Sequence, residues 1–513
     1  MKTARAIRTV FCMGLALTLC ATSASADTYA WDDGGTGNNW STNTNWHTDI
    51  EPTASDLALL GTAVSLAAAE ITLAGEVALG VVVGHSSSGG GQVNITGGDL
   101  TIGTQDLLIG RQAPGVFNQL GGTVTANDAA TVGSTATGPG TYTLTAGDLA
   151  VSATLNVAFG NSSTGTMVQA GGTVNVGALA IGTDSAQGTA QGTYTLSNGM
   201  LTSSSHQYIG MYGNGVLNQS GGTNTVNGWL YMAQQTTGSG EYNLTGGTLD
   251  MANGSGSPMR VGWDSTATLN IGNATGSGEI TQSGAAVDMT VRYKTTGDGG
   301  AAASGTVRGW SGSRIGLTGN LYNNSRVIAD GYGTARSLDF STMANVLNTI
   351  ENGLSETNGW FAQDKGELIL PALTGATVLW GEDESGDDGT IDLINSAALD
   401  FASSQTVTGR LYAVDHGSVN TLGAMNPISV HEFSVGVMSS CDLTIRYDHV
   451  AAANAGLAEG NLKIFQWSGS AWSDVTSSLD TGNRLITASN LTSLGQFAIS
   501  APPPPQGTVI TIQ

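Results

Sequence analysis

The chain has 513 residues, 75 of them glycine, with only 11% charged side chains and a formal net charge of −23. Glycine at this frequency without a collagen period points to many tight turns, and an apolar content of 40% is too high for a disordered chain. The acidic balance argues against nucleic acid and anionic polymers as partners, since both demand clustered Lys and Arg.

Residues 1–26 read as a secretory signal. Lys2, Arg5 and Arg8 form a basic end, "VFCMGLALTLCA" an apolar stretch, and Ala24-Ser25-Ala26 a small-residue cleavage site. Cleavage there removes Cys12 and Cys20, so that Cys441 is the only cysteine left and no intrachain disulfide forms. Lipoprotein cleavage before Cys20 is disfavoured by Leu19, where such a signal needs a small residue. No later stretch reaches the ~18 apolar residues of a membrane helix, so the expected product is secreted or held at the cell surface.

Residues 27–90 are expected to cap the first edge of the strand repeats that begin at Gly91. They carry Trp31, Trp40 and Trp46 in "WDDGGTGNNWSTNTNW". Tryptophans of this kind either fill a core or, if exposed, stack on sugars.

From Gly91 a ten-residue phrase recurs, as in "GTYTLTAGDL" and "GVFNQLGGTV", opening at Gly91, Gly115, Gly140, Gly165, Gly192, Gly215 and Gly240. The period is about 25 residues, the signature of a stacked repeat. Two places after each opening glycine stands a bulky apolar residue: Val93, Phe117, Tyr142, Met167, Tyr194, Leu217 and Tyr242. Seven places on there is always glycine, and nine on an apolar residue except at Asn224. Period-2 strands, sharp glycine corners and three short strands per repeat predict one coil of a β-solenoid over 91–295. A single coil could not offset its ordering entropy, so the recurrence is a requirement of stacking.

Position four alternates: Ile95, Gln119, Leu144, Gln169, Leu196, Gln219 and Leu244, with Gln282 in a degenerate copy opening at Gly278. Either the glutamines point inward and bond the backbone at the glycine corners, or they form an outward row for a ligand.

Residues 296–395 change character. Phe340, Met343, Val346, Leu347 and Ile350 fall at helical spacing, with Ser341 as N-cap and Gly353 as stop, predicting one helix in a connecting β region. Residues 396–500 return to alternating strands and turns, expected as a β-sandwich, and 501–513 begin as a stiff Pro-rich tail. The fold class is therefore all-β: a β-solenoid of ~25-residue coils with a sandwich after it.

The repeats with "YTLTAG" and "NQSGG", the opening tryptophan motif and the run from "GWFAQDKGELILPAL" to "LTSLGQFAIS" resemble secreted planctomycete-type surface proteins with autotransporter-like β-strand repeats, of the PEP-CTERM-associated kind. The resemblance covers nearly the whole chain after the signal and implies a structural or adhesive role at the surface, with no catalytic residues. It departs from that type at the C-terminus, which shows no Pro-Glu-Pro, apolar span and basic end.

Chemistry is sparse. Right-handed β-helices host polysaccharide lyases, which need clustered acids, often with calcium, and a basic residue. Here the acids of residues 91–290 are scattered and the only bases are Arg111 and Arg260, from which no cationic cleft is expected. His47, His85, His206, His416, His431 and His449 are isolated, without metal-ligand spacing. In "GEDESGDDGTID", Asp383, Asp387, Asp388 and Asp392 offer oxygens for Ca²⁺, the one candidate cofactor, but the spacing misses the D-x-D-x-D-G frame and a solvated acidic loop is the plainer reading. Three readings remain: a non-catalytic structural or adhesive solenoid, a glycan-binding module, or a polysaccharide lyase. The expected partner is a surface or matrix polysaccharide or a protein.

Overall fold

In a computed structural model the described residues are 26–502, apart from 63–64, 87–88, 184–187, 253–258, 274–276, 295–302, 311–312, 324, 331–336, 349–359, 365–366, 381 and 384–394. The protein is a β-solenoid of about 11 coils, with three faces. Gly140–Leu144 shows how sequence makes a face: Gly140, Tyr142 and Leu144 are buried while Thr141 and Thr143 are half-buried. The strand pairs in parallel with Gly115–Gln119 on one side and Thr164–Gln169 on the other, glycine over glycine. The residues two and nine places after each opening glycine are all buried, Tyr142, Leu149, Tyr194 and Leu201 among them. Asn224 is buried too, in the same column as Leu201 and Leu249.

The corner seven places on is left-handed at Gly122, Gly147, Gly172, Gly199, Gly222 and Gly247, with φ between 67° and 89°. At Gly147 a Cβ would also stand 2.2 Å from the Gly122 carbonyl oxygen of the coil before. Conformation and close stacking both demand glycine here. Gly98 lacks the positive φ, yet a Cβ there would lie 2.1 Å from the Leu73 carbonyl oxygen.

The solenoid extends beyond the legible repeats in both directions. Ala69–Ile71, Glu76–Ala78 and Gly80–Val83 already form a coil, each in parallel register with the strand of the next. After 290 the parallel ladders continue, through Ala303–Gly309 on Thr266–Ile271 and Arg326–Asp330 on Ala303–Gly309, as far as Trp360–Asp364. The degenerate copy is displaced from its expected place. Ala267, Leu269 and Ile271 sit over Gly240, Tyr242 and Leu244, whereas Glu279–Thr281 pairs with the post-corner residues 248–250. Gly278 therefore does not open a coil, and Gln282 is outside the inward glutamine set.

The expected helix is absent where the chain is described. Asn345–Asn348 is a strand, paired in parallel with Asn320–Asn323, and Phe340 and Met343 are buried around the turn before it. Stacking on a preformed ladder overrides a short helical pattern, because the neighbouring strand offers all the backbone partners at once. The one short α-helix among the described residues is His449–Asn454, whose first turn is capped by the Asp448 carboxylate.

Both edges of the stack are partly covered. At the start, Thr28–Ala30 pairs with Leu57–Leu60, and Trp40 N–H donates to the Glu70 carbonyl at 2.9 Å. Trp31, Trp40 and Trp46 are fully buried, meeting edge-on with ring centroids 5.1 and 4.7 Å apart. At the end, Glu367–Trp380 pairs in parallel with Ser337–Asp339 and, on its other side, antiparallel with Ala397–Tyr412. One strand thus converts a parallel stack into an antiparallel ladder. That ladder branches at Ala397–Tyr412, one end pairing with Cys441–Arg446 and the other with Ser429–Val435. The face-to-face sandwich expected here is not established by these pairings, which form one continuous branching ladder.

Candidate functional site

The glutamine row is internal. Gln119, Gln169 and Gln219 are buried, and each Nε2 donates to two carbonyls at glycine corners, Gln119 to Gly122 at 3.0 Å and Asp148 at 2.9 Å. Each Oε1 accepts from a tyrosine of the next coil: Tyr142 to Gln119 and Tyr194 to Gln169, both at 2.6 Å, and Tyr242 to Gln219. The two alternating versions of the repeat are the two halves of one hydrogen-bonded pair. Burial raises the phenol pKa of Tyr142, Tyr194 and Tyr242 well above its ordinary value, so these groups stay protonated donors. Asn224, the exception in its column, has a matching exception across the core. Gln207 replaces the apolar residue of its own column, and the two amides bond reciprocally at 2.7 and 3.1 Å.

Of the proposed calcium ligands, Asp383 ends the strand Glu382–Asp383, and Asp387, Asp388 and Asp392 lie outside the described residues. Among the described residues, no three His, Cys, Asp or Glu side chains converge. The histidines are dispersed. His431 is buried in the C-terminal ladder, and burial lowers its pKa to about 3. Burial and Arg111 lower that of His85. His206 accepts from Trp229 N–H through Nδ1 at 3.0 Å.

That last contact belongs to a group of side chains the sequence did not bring together. On the third face the strands Gln207–Ile209, Leu230–Met232 and Met259–Val261 stack in register, placing Tyr208, Tyr231 and Arg260 in one column on the side away from the core, with Tyr231 only 7% exposed. The same position is Leu108, Thr131, Asn156 and Ala180 in the coils before. Tyr208 and Tyr231 are stacked, with centroids 5.6 Å apart and planes 6° apart. The Arg260 guanidinium lies 4.6 Å from the Trp229 centroid and 3.6 Å from that of Trp263. Arg292 lies over the same Trp263 ring at 4.2 Å, and its Nη1 donates to the Trp263 carbonyl at 2.8 Å. Asp264 approaches Arg292 at 3.5 Å and moderates its charge. Burial raises the Tyr231 pKa, and Arg260 partly offsets the rise.

Arg260 and Arg292 lie over one indole, with Arg292 just beyond the residues 91–290 for which no cationic cleft is expected. The signal was present in the middle residues of "QYI", "LYM" and "MRV", legible only once the third strands are aligned. Both guanidinium groups lie within cation–π distance of the Trp263 ring, and that of Arg292 is also held by the Trp263 carbonyl and Asp264.

No family model, curated protein or solved structure matches this chain significantly.

Proposed function

We propose that this protein is an exported, surface-displayed β-solenoid with a structural and adhesive role and no catalysis of its own. The supporting observation is that the recurring residues are used up by stacking: apolar positions fill the core, glutamines bond tyrosines, and glycines form corners. About 11 coils at roughly 4.8 Å each give a rod of about 50 Å that presents its sides as flat faces. Partial covering of its edges suits such a rod to persist outside the cell, since open parallel edges would template association.

The test is fractionation of cells expressing the full chain, with N-terminal sequencing of the surface fraction. Mature protein beginning at Asp27 and sensitive to external protease is expected. Cytosolic protein that retains residues 1–26 would refute export, and release of unsaturated uronate from polysaccharide by the purified protein would make it a lyase.

The glycan-binding alternative no longer has support from Trp31, Trp40 and Trp46, which are buried. Its remaining support is the partly exposed aromatic and arginine group on the third face.

A further inference from the structure

We propose that the chain joins copies of itself head to tail: residues 508–513 of one copy add as a short strand in a cleft beside Ser429–Val435 of another. This goes beyond the surface role and does not depend on where the cell places the protein.

The cleft follows from where one ladder stops. Gln496–Ser500 pairs antiparallel with Ser429–Val435, and the last bond on that side runs from Phe433 N–H to the Gly495 carbonyl at 3.0 Å. Beyond Gly495, at φ 149°, residues 492–494 stand off from the strand and leave a cleft of about 510 Å³. Antiparallel alternation turns the N–H and C=O of Val435 to the same side as those of Phe433, and among the described residues no ladder bond reaches them there. Val437, Met438 and Leu494 line the same cleft, Val437 being 95% exposed. A vacant lane with an unmet backbone pair and apolar walls is what an added strand occupies.

The chain carries a segment of matching kind. "TVITIQ", residues 508–513, lies outside the described residues, bears no charge and is rich in the β-branched residues that suit an added strand. Ile510 and Ile512, two places apart, would share one side of that strand and meet the apolar wall together. Position decides that the donor is a second copy. Gln496–Ser500 starts at the cleft and ends roughly 15 Å from it, and the prolines at 502–505 are a sequence that favours an extended spacer of about 12 Å beyond that end. Both lanes beside Gln496–Ser500 are filled, by Ser429–Val435 and by Lys463–Trp467, so no open lane leads back to the molecule's own cleft. Two copies of net charge −23 repel, and an uncharged strand on a spacer joins them without bringing their bodies face to face. Donor and cleft are different surfaces, so the contact is heterologous and extends into chains.

The experiment is sedimentation of the purified full chain. Between about 10 and 100 µM, the range suited to so small a contact, its mass should climb past the dimer, and removal of residues 506–513 should abolish the climb. Two variants separate donor from cleft. Ile510→Lys/Ile512→Lys spoils the donor, whereas Gly436→Arg fills the cleft from a position where a Cβ meets nothing within 4 Å. Each alone should stay monomeric, and an equal mixture should form a dimer and stop there, because it holds one intact donor and one intact cleft. Unchanged hydrogen exchange over 441–500 checks that each variant is folded. A full chain that stays monomeric, a mixture that forms no dimer, or association that survives the loss of 506–513 would overturn the proposal. A monomer whose exchange over 434–438 quickens when 506–513 are removed would mean that the cleft holds the molecule's own tail, which also overturns it.

Discussion

The phenol of Tyr194 donates a hydrogen bond of 2.6 Å to Oε1 of Gln169, one coil earlier, while the same glutamine's Nε2 holds the carbonyls of Gly172 and Met200. One side chain thereby ties three backbone and side-chain groups across two coils in a place closed to water.

Gln169→Leu should cost about 2–4 kcal/mol, since it strands the buried Tyr194 hydroxyl and removes a donor from the Gly172 and Met200 carbonyls. Tyr194→Phe should cost about 1–2 kcal/mol. The double variant is expected to cost less than the sum, because the orphaned phenol is then gone. Hydrogen exchange in 164–201 reads the effect. Strict additivity would mean that the pair is not coupled.

Gln207 and Asn224 compensate for one another. Gln207→Leu alone should destabilise by about 1–3 kcal/mol by leaving the Asn224 amide with half its partners. Gln207→Leu/Asn224→Leu restores the residue type of both columns and should recover most of that loss. Tyr242 keeps Gln219 as acceptor in the double variant. A double variant weaker than Gln207→Leu would refute the pairing.

Gly147→Ala should cost at least about 2 kcal/mol, because left-handed backbone disfavours any Cβ and this one would stand 2.2 Å from a carbonyl oxygen. Damage should stay in the coils around 115–183, since each coil touches only its neighbours. Exchange protection in 429–500 should be unchanged. Uniform loss through both regions would show a single cooperative unit.

The two ends should respond oppositely to pH. Burial, with the Glu51 carboxyl beside it, raises the Glu76 pKa to about 8. An acid raised on folding stabilises fully below its ordinary pKa and loses that contribution as pH rises through about 8. Exchange in 69–83 should therefore quicken, beyond its intrinsic rise, between about pH 4.5 and 8, and Glu76→Gln should remove the dependence.

His431 acts in the other direction. Burial lowers its pKa to about 3, so its contribution is complete above the ordinary histidine pKa and is lost as pH falls. The ladder 429–500 should weaken from about pH 6 downward, and His431→Phe, which keeps a ring beside Phe433, should flatten the profile. Acid stability of this segment equal to that of the solenoid would refute the assignment.

Periodicity alone determined the coil, its inward positions and its glycine corners, because a strand's alternation and a left-handed turn are local constraints that each repeat must satisfy. It also placed Gln119, Gln169 and Gln219 on the same strand parity as the core. What it could not supply was partnership. That Gln169 meets Tyr194 of the next coil, that Asn224 answers Gln207, and that Arg260 and Arg292 share Trp263 depends on which rung lies beside which, and loops of unequal length set that register. The same holds for residues 345–348, whose helical spacing yielded to a ladder already formed by 320–323. Local pattern chooses the strand; stacking at one inter-strand distance chooses its neighbours, and the candidate site exists only between neighbours.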